Sequence, residues 1–327
     1  MNNHSYLKIK LEIITPVFIG DGNEYLPFDY ILQNKKIKII DKQRFNNRIY
    51  KDQELFEEFS KVSDNTQSLI DFLNINVNEY SYEIDVENSA YEDLIRNKGS
   101  IRRPVSNFIK DKYYNTPFIP GSSLKGAVRT ALLDYVFANN RELKSLFQKE
   151  MHYKSLEAEV FCNDSRFDAK NDCLKALSIS DLKPAEYKLK AIKPKNKGLK
   201  NENLLPVILE CVCSGIFEGE IRIDENLLKR NSSKYFKLNF DEIKNALEFH
   251  YKNVIENETK RFNANIPNYC DYMMKLGKHG GAGAKTIEGK RNIWIHTIRK
   301  NLDYQLSTWL DSQNNQLGWA KLSFGTE

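Results

Sequence analysis

PFIPGSSLKGAVRTALLDYVF, running from Pro117 to Phe137, joins a chain break to the start of a helix. Pro120 and Gly121 interrupt whatever precedes them, and Ser122 or Ser123 can cap the next turn. Leu124, Ala127, Val128, Ala131, Leu132, Tyr135 and Val136 then recur at helical spacing and form one apolar stripe. The opposite face opens with Lys125 and Arg129, four residues apart and beside the free N–H groups and positive dipole end of the helix. That combination suits a phosphate. An ordinary capped helix with solvated basic residues satisfies the same pattern.

Outward from this helix, the chain mixes strands and helices. Leu7, Ile9, Leu11 and Ile13 alternate with Lys8, Lys10 and Glu12, the period of a half-buried strand that Thr15 and Pro16 end. Leu55, Phe59 and Val62, then Leu69, Ile70 and Leu73, predict two helical stretches within residues 52–74. A strand is expected over 80–86, others over 177–181, 206–213 and 216–223, a helix over 241–259 and a late strand over 293–297. No strict βαβα alternation appears, so the expected class is α+β with antiparallel sheets.

The 327 residues carry 49 basic and 44 acidic side chains, a formal charge of +5, which permits a polyanionic partner without demanding one. No apolar run approaches the roughly 20 residues that cross a bilayer, and MNNHSYLKIK lacks the apolar core of a signal peptide, so a cytoplasmic, membrane-free protein is expected. The cysteines at 162, 173, 211, 213 and 270 are odd in number and contain no C-x-x-C pair. They read as buried thiols, with no disulfide framework and no metal site. Neither a cofactor nor a small-molecule substrate is expected.

Basic residues concentrate in two places. RNKGSIRRPVSNFIKDK, residues 96–112, has six basic residues against the single Asp111 and no clean period, as in a loop. KPAEYKLKAIKPKNKGLK, residues 183–200, has seven lysines against Glu186, and its prolines and glycine exclude a long helix. A solvated, mobile loop is the plain reading of this second segment. LGKHGGAGAKT, Leu276 to Thr286, offers glycines that tolerate positive φ and let backbone amides approach a phosphate, with Lys278, His279 and Lys285 as donors. A nucleotide-binding P-loop would need Gly-Lys-Thr contiguous, whereas Ala284 separates Gly283 from Lys285, and no apolar strand is expected directly before the loop.

IPGSSLKG followed by x-x-R-T resembles the signature of the RAMP superfamily, RNA-binding subunits of class 1 CRISPR complexes. Three further segments agree in order: TPVFIGDG at Thr15–Gly22 is similar to the glycine turn after a RAMP first strand, SISD at Ser178–Asp181 to the strand before its protruding hairpin, and LGKHGGAGAKT to its C-terminal glycine-rich loop. Ala284 departs from the aromatic or bulky apolar residue usual before the Lys-Thr pair. The resemblance implies two RRM-like (ferredoxin-like) antiparallel domains, residues 1–203 with a basic thumb at 183–203, and residues 204–327 with the glycine-rich loop at 276–286. It implies RNA contacts at Gly20, Gly22, Ser122, Ser123, Lys125, Arg129, Lys188, Lys190, Lys193, Lys195, Lys278, Gly280, Gly281, Gly283 and Lys285, with Tyr187 available for stacking. The chain length and the tail containing LGWAKLSF most resemble the terminal Csm-type subunit that caps the 3′ end of the guide RNA (crRNA). Its implied partners are that RNA, other RAMP subunits and the small helical subunit of a type III-A Csm complex, and its implied role is non-catalytic.

Two enzymatic readings compete. Related backbone subunits slice target RNA through an aspartate after the first strand, and Asp21 and Asp29 lie there, although LPFDYIL surrounds Asp29 with the apolar pattern of a hydrogen-bonded structural acid. The repeat-processing endoribonuclease of the same superfamily uses a histidine. His4, His152, His250 and His279 are available; the stripe position of His250 suggests a core residue, and His4 is expected in a disordered terminus.

Overall fold

The structure, a computed structural model, describes residues 4–75, 81–97, 104–147, 153–198, 202–204, 207–295 and 298–325. Its elements run β1 (His4–Ile13), β2 (Gly20–Tyr25), β3 (Tyr30–Gln33), β4 (Lys36–Ile40), α1 (Lys42–Lys51), α2 (Gln53–Val62), α3 (Thr66–Ile75), β5 (Ser81–Val86), α4 (Asn88–Arg96), β6 (Val105–Phe108), α5 (Gly121–Asn139), α6 (Arg141–Leu146), α7 (Tyr153–Cys162), β7 (Leu177–Ile179) and β8 (Lys183–Ile192). Then come β9 (Lys195–Gly198), β10 (Glu202–Leu204), β11 (Ile208–Asp224), α8 (Glu225–Arg230), α9 (Phe240–Arg261), β12 (Met273–Lys275), β13 (Ile293–Ile295), β14 (Lys300–Leu302), β15 (Ser307–Leu310) and β16 (Trp319–Phe324).

The alternation in β1 does what its period predicts: Leu7, Ile9, Leu11 and Ile13 are buried, and Lys8, Lys10 and Glu12 face solvent. β1 pairs antiparallel with β11 over ten residues, from His4 opposite Asp224 to Ile13 opposite Gly215, and with β16 on its other edge. His4 thus opens a strand rather than a disordered terminus. The main sheet runs β12-β16-β1-β11-β8-β5-β4-β3, mostly antiparallel, with parallel contacts among the described residues where β5 meets β8 and β6 meets β11. Strands from both sides of residue 203/204 share this sheet, so the expected domain boundary falls within one continuous layer.

Helices α5 and α9 lie together over the apolar face of β1 and β11. Leu124, Val128, Leu132 and Val136 of α5 and Ile243, Leu247 and Val254 of α9 are buried there, each contributing about 1.5–3 kcal/mol. Helices α1 to α3 cover the far end of the sheet, where Ile31 and Ile40 meet Ile49, Phe72 and Leu73. Apolar spacing reveals α2 and α3 but not α1. Asp41 caps α1 through the N–H groups of Gln43 and Arg44, a start signal that the polar sequence KQRFNNRIYK obscures.

Other expectations are corrected by pairing. The strands expected at 206–213 and 216–223 are one 17-residue strand, β11, bent by register irregularities around Ser214 and Ile216. Cys211 is buried in it, while Cys213, beside the bend, is half-buried like Cys270. The tail segment LGWAKLSF is no appendage, because β16 is a core strand and Trp319 is fully buried.

The basic segment 183–200 is the largest correction. Residues 183–192 form β8, hydrogen-bonded to β11 from Leu209 to Glu218 and to β5 at Asp85 and Val86. Residues 195–198 form β9 in a small sheet with β10 and β15. Thus the described part of the segment is hydrogen-bonded strand rather than an irregular loop. Charge repulsion among its lysines is outweighed by the sheet's hydrogen bonds and by burial of Ala191 and Ile192. Residues 199–201, with Lys200, lie outside the described residues. So do His152 and, in the first basic segment, Lys98, Arg102 and Arg103, as do residues 296–297 of the expected late strand. No helix among the described residues is long and apolar enough to cross a membrane.

Candidate nucleic-acid interface

Gly121 explains why the α5 helix begins where it does. A Cβ there would lie 2.0 Å from the backbone oxygen of Ile179, so only glycine lets the helix start touch β7. Its N–H donates to Oδ1 of Asp181 at 2.9 Å. The predicted caps, Ser122 and Ser123, make no cap hydrogen bond; Pro120 holds the cap position and Asp181, sixty residues on, accepts in their place. Two motifs separate in sequence, IPGSSLKG and SISD, are therefore one structural joint.

The two cations of that helix are engaged internally. Arg129 donates from Nε to Glu157 at 2.5 Å and from Nη1 to Asp172 at 2.8 Å, and stacks over Phe161 and Phe167. Lys125 donates to the backbone oxygen of Leu177 at 2.7 Å, and its partial burial lowers its pKa from the ordinary lysine value. Neither stands as a free phosphate ligand at the helix N-terminus. Ser122 and Ser123, with Gly126 and Thr130, line a cleft of about 950 Å³.

That cleft gathers distant segments. The first-strand turn contributes Phe18, Gly20, Gly22 and Glu24, the α5 start contributes its serines, and the glycine-rich loop contributes Gly277, Lys278, His279 and Lys285. Gly277 has φ +83°, and a Cβ on it would meet the Phe18 backbone oxygen at 2.2 Å. At the same place the Lys278 N–H donates to that oxygen at 3.0 Å, which ties the loop to the turn. Gly281 also has positive φ; Gly280 and Gly283 do not, and Gly283 is small because the Tyr304 ring stands 2.5 Å from where its Cβ would be. The amides of Lys278, Gly280, Gly283 and Lys285 are bonded to Phe18, Gly277, Gln305 and Ala282. These four are therefore not the free donors expected of a phosphate-binding loop.

His279 is stacked between Phe18, at 5.6 Å, and Trp309, at 3.8 Å. Burial first, then Lys278 and Lys285, push its pKa down to about 4, so the ring is neutral at physiological pH and supplies no charge. Lys278 and Lys285 are the cations at the surface of the loop, although the Lys285 ammonium donates to the Lys278 carbonyl at 3.3 Å and partial burial lowers its pKa from the ordinary lysine value. Local sequence carries no sign of the Phe18 and Trp309 partners, which lie 261 and 30 positions away from His279.

Beneath the loop sits a buried pair: Lys275 donates to Glu258 at 2.6 Å with both side chains fully inaccessible. Gln305 and Tyr304 donate to the other Glu258 oxygen, and Gln305 in turn accepts from Gly283 N–H at 2.7 Å. From the α5 side, Asp134 bonds His250 Nδ1 at 2.6 Å, and His250 Nε2 reaches the Ala284 carbonyl at 3.2 Å. His250 is thus a buried brace of the loop, in line with its stripe position. The short strand β12 leads directly into the loop, contrary to expectation, but the loop continues into a single 3₁₀ turn at Gly283–Lys285 rather than the helix of a P-loop.

The thumb lysines are elsewhere. Lys188 is paired to Asp85 at 3.1 Å and Lys193 to Asp93 at 3.0 Å, while Lys190 and Lys195 are half-buried on β8 and β9. Asp29 accepts from Leu26 N–H and pairs with Lys42, bracing the β3 approach away from the cleft, and Asp21 accepts from Asn23 in its own turn. Among the described residues no group of three His, Cys, Asp or Glu side chains could hold a metal ion.

Known proteins are similar to this chain in sequence and in fold. The model of the RAMP superfamily matches residues 10–286. A CRISPR-system protein named Csm5 from Methanocaldococcus jannaschii is 31% identical over 79% of this chain and 64% of its own length, so the chain spans less than two thirds of that relative. Csm5 of Streptococcus thermophilus is 29% identical over 72% of this chain and 71% of its own. The fold is also similar to a chain in a type III-A Csm–crRNA–target RNA ternary complex, with TM-score 0.71, 19% identity, and coverage of 97% of this chain and 100% of that one. It is similar again to the crystal structure of T. onnurineus Csm5, with TM-score 0.64, 20% identity, and coverage of 95% and 99%.

Proposed function

Because this chain belongs to the RAMP superfamily, we propose that it is a non-catalytic RNA-binding subunit of a type III-A Csm complex, holding the 3′ part of the guide RNA. The observation that carries this reading is convergence: the first-strand turn, the α5 start and the glycine-rich loop, the segments most like RAMP motifs, line one cleft. Gly22 has open space around it, Gly20 packs on the Phe18 ring, and with Ser122 and Ser123 they offer polar surface, while Lys278 and Lys285 bring charge to the loop surface for phosphates. Lys188, Lys190, Lys193, Lys195, Lys125 and Arg129 contribute background potential more than direct contacts, since the pairs described above already engage several of them. Guide maturation, contact with neighbouring RAMP subunits and contact with the small helical subunit belong to the same proposal and rest on the motif resemblance.

The test is RNA binding by the purified chain across a salt series. Each phosphate no longer neutralised should flatten the logarithmic salt slope by about 0.7. Lys278→Ala with Lys285→Ala should weaken binding and flatten the slope by more than one such step. Guide RNA recovered with the complex should have a defined 3′ end. Specific RNA cleavage abolished by Asp29→Asn or His279→Ala, with binding retained, would replace this reading by an enzymatic one.

A further inference from the structure

Tyr113 and Tyr114 are 88% and 83% exposed, the two most exposed large apolar side chains of the described residues. They sit on a turn that is tightly held. The Asp111 carboxylate accepts the N–H groups of Tyr113 and Tyr114 at 2.9 and 3.0 Å, Asp111 N–H donates to the Thr116 carbonyl at 2.8 Å, and Asn115 N–H donates to the Asp111 carbonyl at 2.9 Å. Asn115 closes the turn with φ +57°, and Lys110 bridges to Pro117 at its base. None of these bonds needs a tyrosine side chain. Asn, Ser or Lys at 113 and 114 would form the same turn without leaving two rings in water.

Both legs of the turn lead to the cleft. Ser106, four residues before Lys110, and Ser122, five after Pro117, line it, which puts the turn's base within about 18 Å of chain from the proposed RNA site. The surroundings are polar and basic rather than apolar: Lys112 is exposed, and Lys183 is close enough to act electrostatically on Asp111. The Tyr114 and Tyr113 amides hold the Asp111 carboxyl below its ordinary pKa, so its charge is fixed within the turn. A protein-binding patch would extend the apolar surface beyond two rings. Two exposed phenol rings carried on a tightly bonded turn beside lysines match the stacking platforms of single-strand binders.

We infer that the Asp111–Thr116 turn is an aromatic platform on which an unpaired base of the RNA strand stacks as it leaves the cleft. This assignment rests on the RNA-binding reading above. It is tested with the full-length chain and a single-stranded RNA oligonucleotide carrying fluorescent aminopurine at successive positions. The wild type should quench one or two positions. Tyr113→Ala with Tyr114→Ala should abolish that quenching and lower affinity about 10-fold, with the salt slope unchanged because stacking neutralises no phosphate. Tyr113→Phe with Tyr114→Phe should restore both. Quenching and affinity unaffected by the alanine pair, while the Lys278/Lys285 variant still weakens binding, would overturn the platform and leave the cleft reading standing. No RNA binding by the wild type would overturn both. An alanine pair that binds RNA normally yet falls out of the co-purified complex would make the turn a protein contact and overturn the RNA assignment.

Discussion

Lys275→Met probes the support under the glycine-rich loop. Lys275 and Glu258 are both fully buried, 2.6 Å apart, and the Lys275 ammonium lies 5.0 Å from the centre of the Trp319 ring. Burial lowers the Lys275 pKa from the ordinary lysine value while Glu258 opposes that shift. Methionine keeps most of the volume and removes the charge, leaving Glu258 with only the Gln305 and Tyr304 donors, at 3.3 and 3.5 Å. Stranding one member of a buried pair costs about 3–5 kcal/mol. Replacing both, with Glu258→Leu added, removes the stranded charge and leaves mainly two weakened donors, a cost of about 1–2 kcal/mol. Urea denaturation of the wild type, both single variants and the double variant closes the cycle. The Gly283 amide should also exchange faster in Lys275→Met, because Gln305 bonds both Glu258 and Gly283 N–H. A single-variant cost below about 1 kcal/mol, or a double variant costing the sum of the singles, would refute the argument that the pair acts as a coupled strut.

Gly121→Ala should destabilise the protein by about 2–3 kcal/mol, because a Cβ would overlap the Ile179 backbone oxygen; a cost under about 0.5 kcal/mol in urea melts would show that β7 and α5 part easily. Arg129→Gln should lower stability by about 2–4 kcal/mol through loss of the Glu157 and Asp172 bonds while leaving the RNA salt slope unchanged, and a flattened slope would return Arg129 to the phosphate contacts. Deleting residues 186–200 should abolish cooperative unfolding, since it removes most of β8 from the sheet; a retained sharp transition would argue against the pairing with β11. His279, with its pKa lowered from 6.5 to about 4, binds fewer protons folded than unfolded, so stability should rise with pH between those values and fall as pH drops from 6.5 to 4. The full displacement would be worth about 3.4 kcal/mol, and the ring's partial solvent access reduces this to roughly 1–2 kcal/mol. His279→Phe should lack that component in parallel melts, and an NMR titration of the ring near 6.5 would contradict the burial.

Local periodicity was enough for the elements whose pattern is short and self-contained. The alternation of β1, the stripe of α5 and the apolar run of α9 each state their buried face within a few residues of sequence. Gly121 reads as a chain break and the glycines of 276–286 as room for a phosphate, whereas what approaches Gly121 and Gly277 is the chain's own backbone, at Ile179 and Phe18. The partners came only with the tertiary structure. Arg129 reads as a free cation until Glu157 and Asp172 arrive from elements 28 and 43 residues away. The lysines of 183–198 read as a solvated loop until β11 and β5 supply hydrogen bonds that no local pattern encodes. His279 reads as a basic donor until Phe18 and Trp309 enclose it and remove its charge. For Arg129 and His279 the deciding quantity is desolvation, and for the lysines it is strand pairing; both depend on what the rest of the chain brings within a few ångströms and so are invisible to spacing along the sequence.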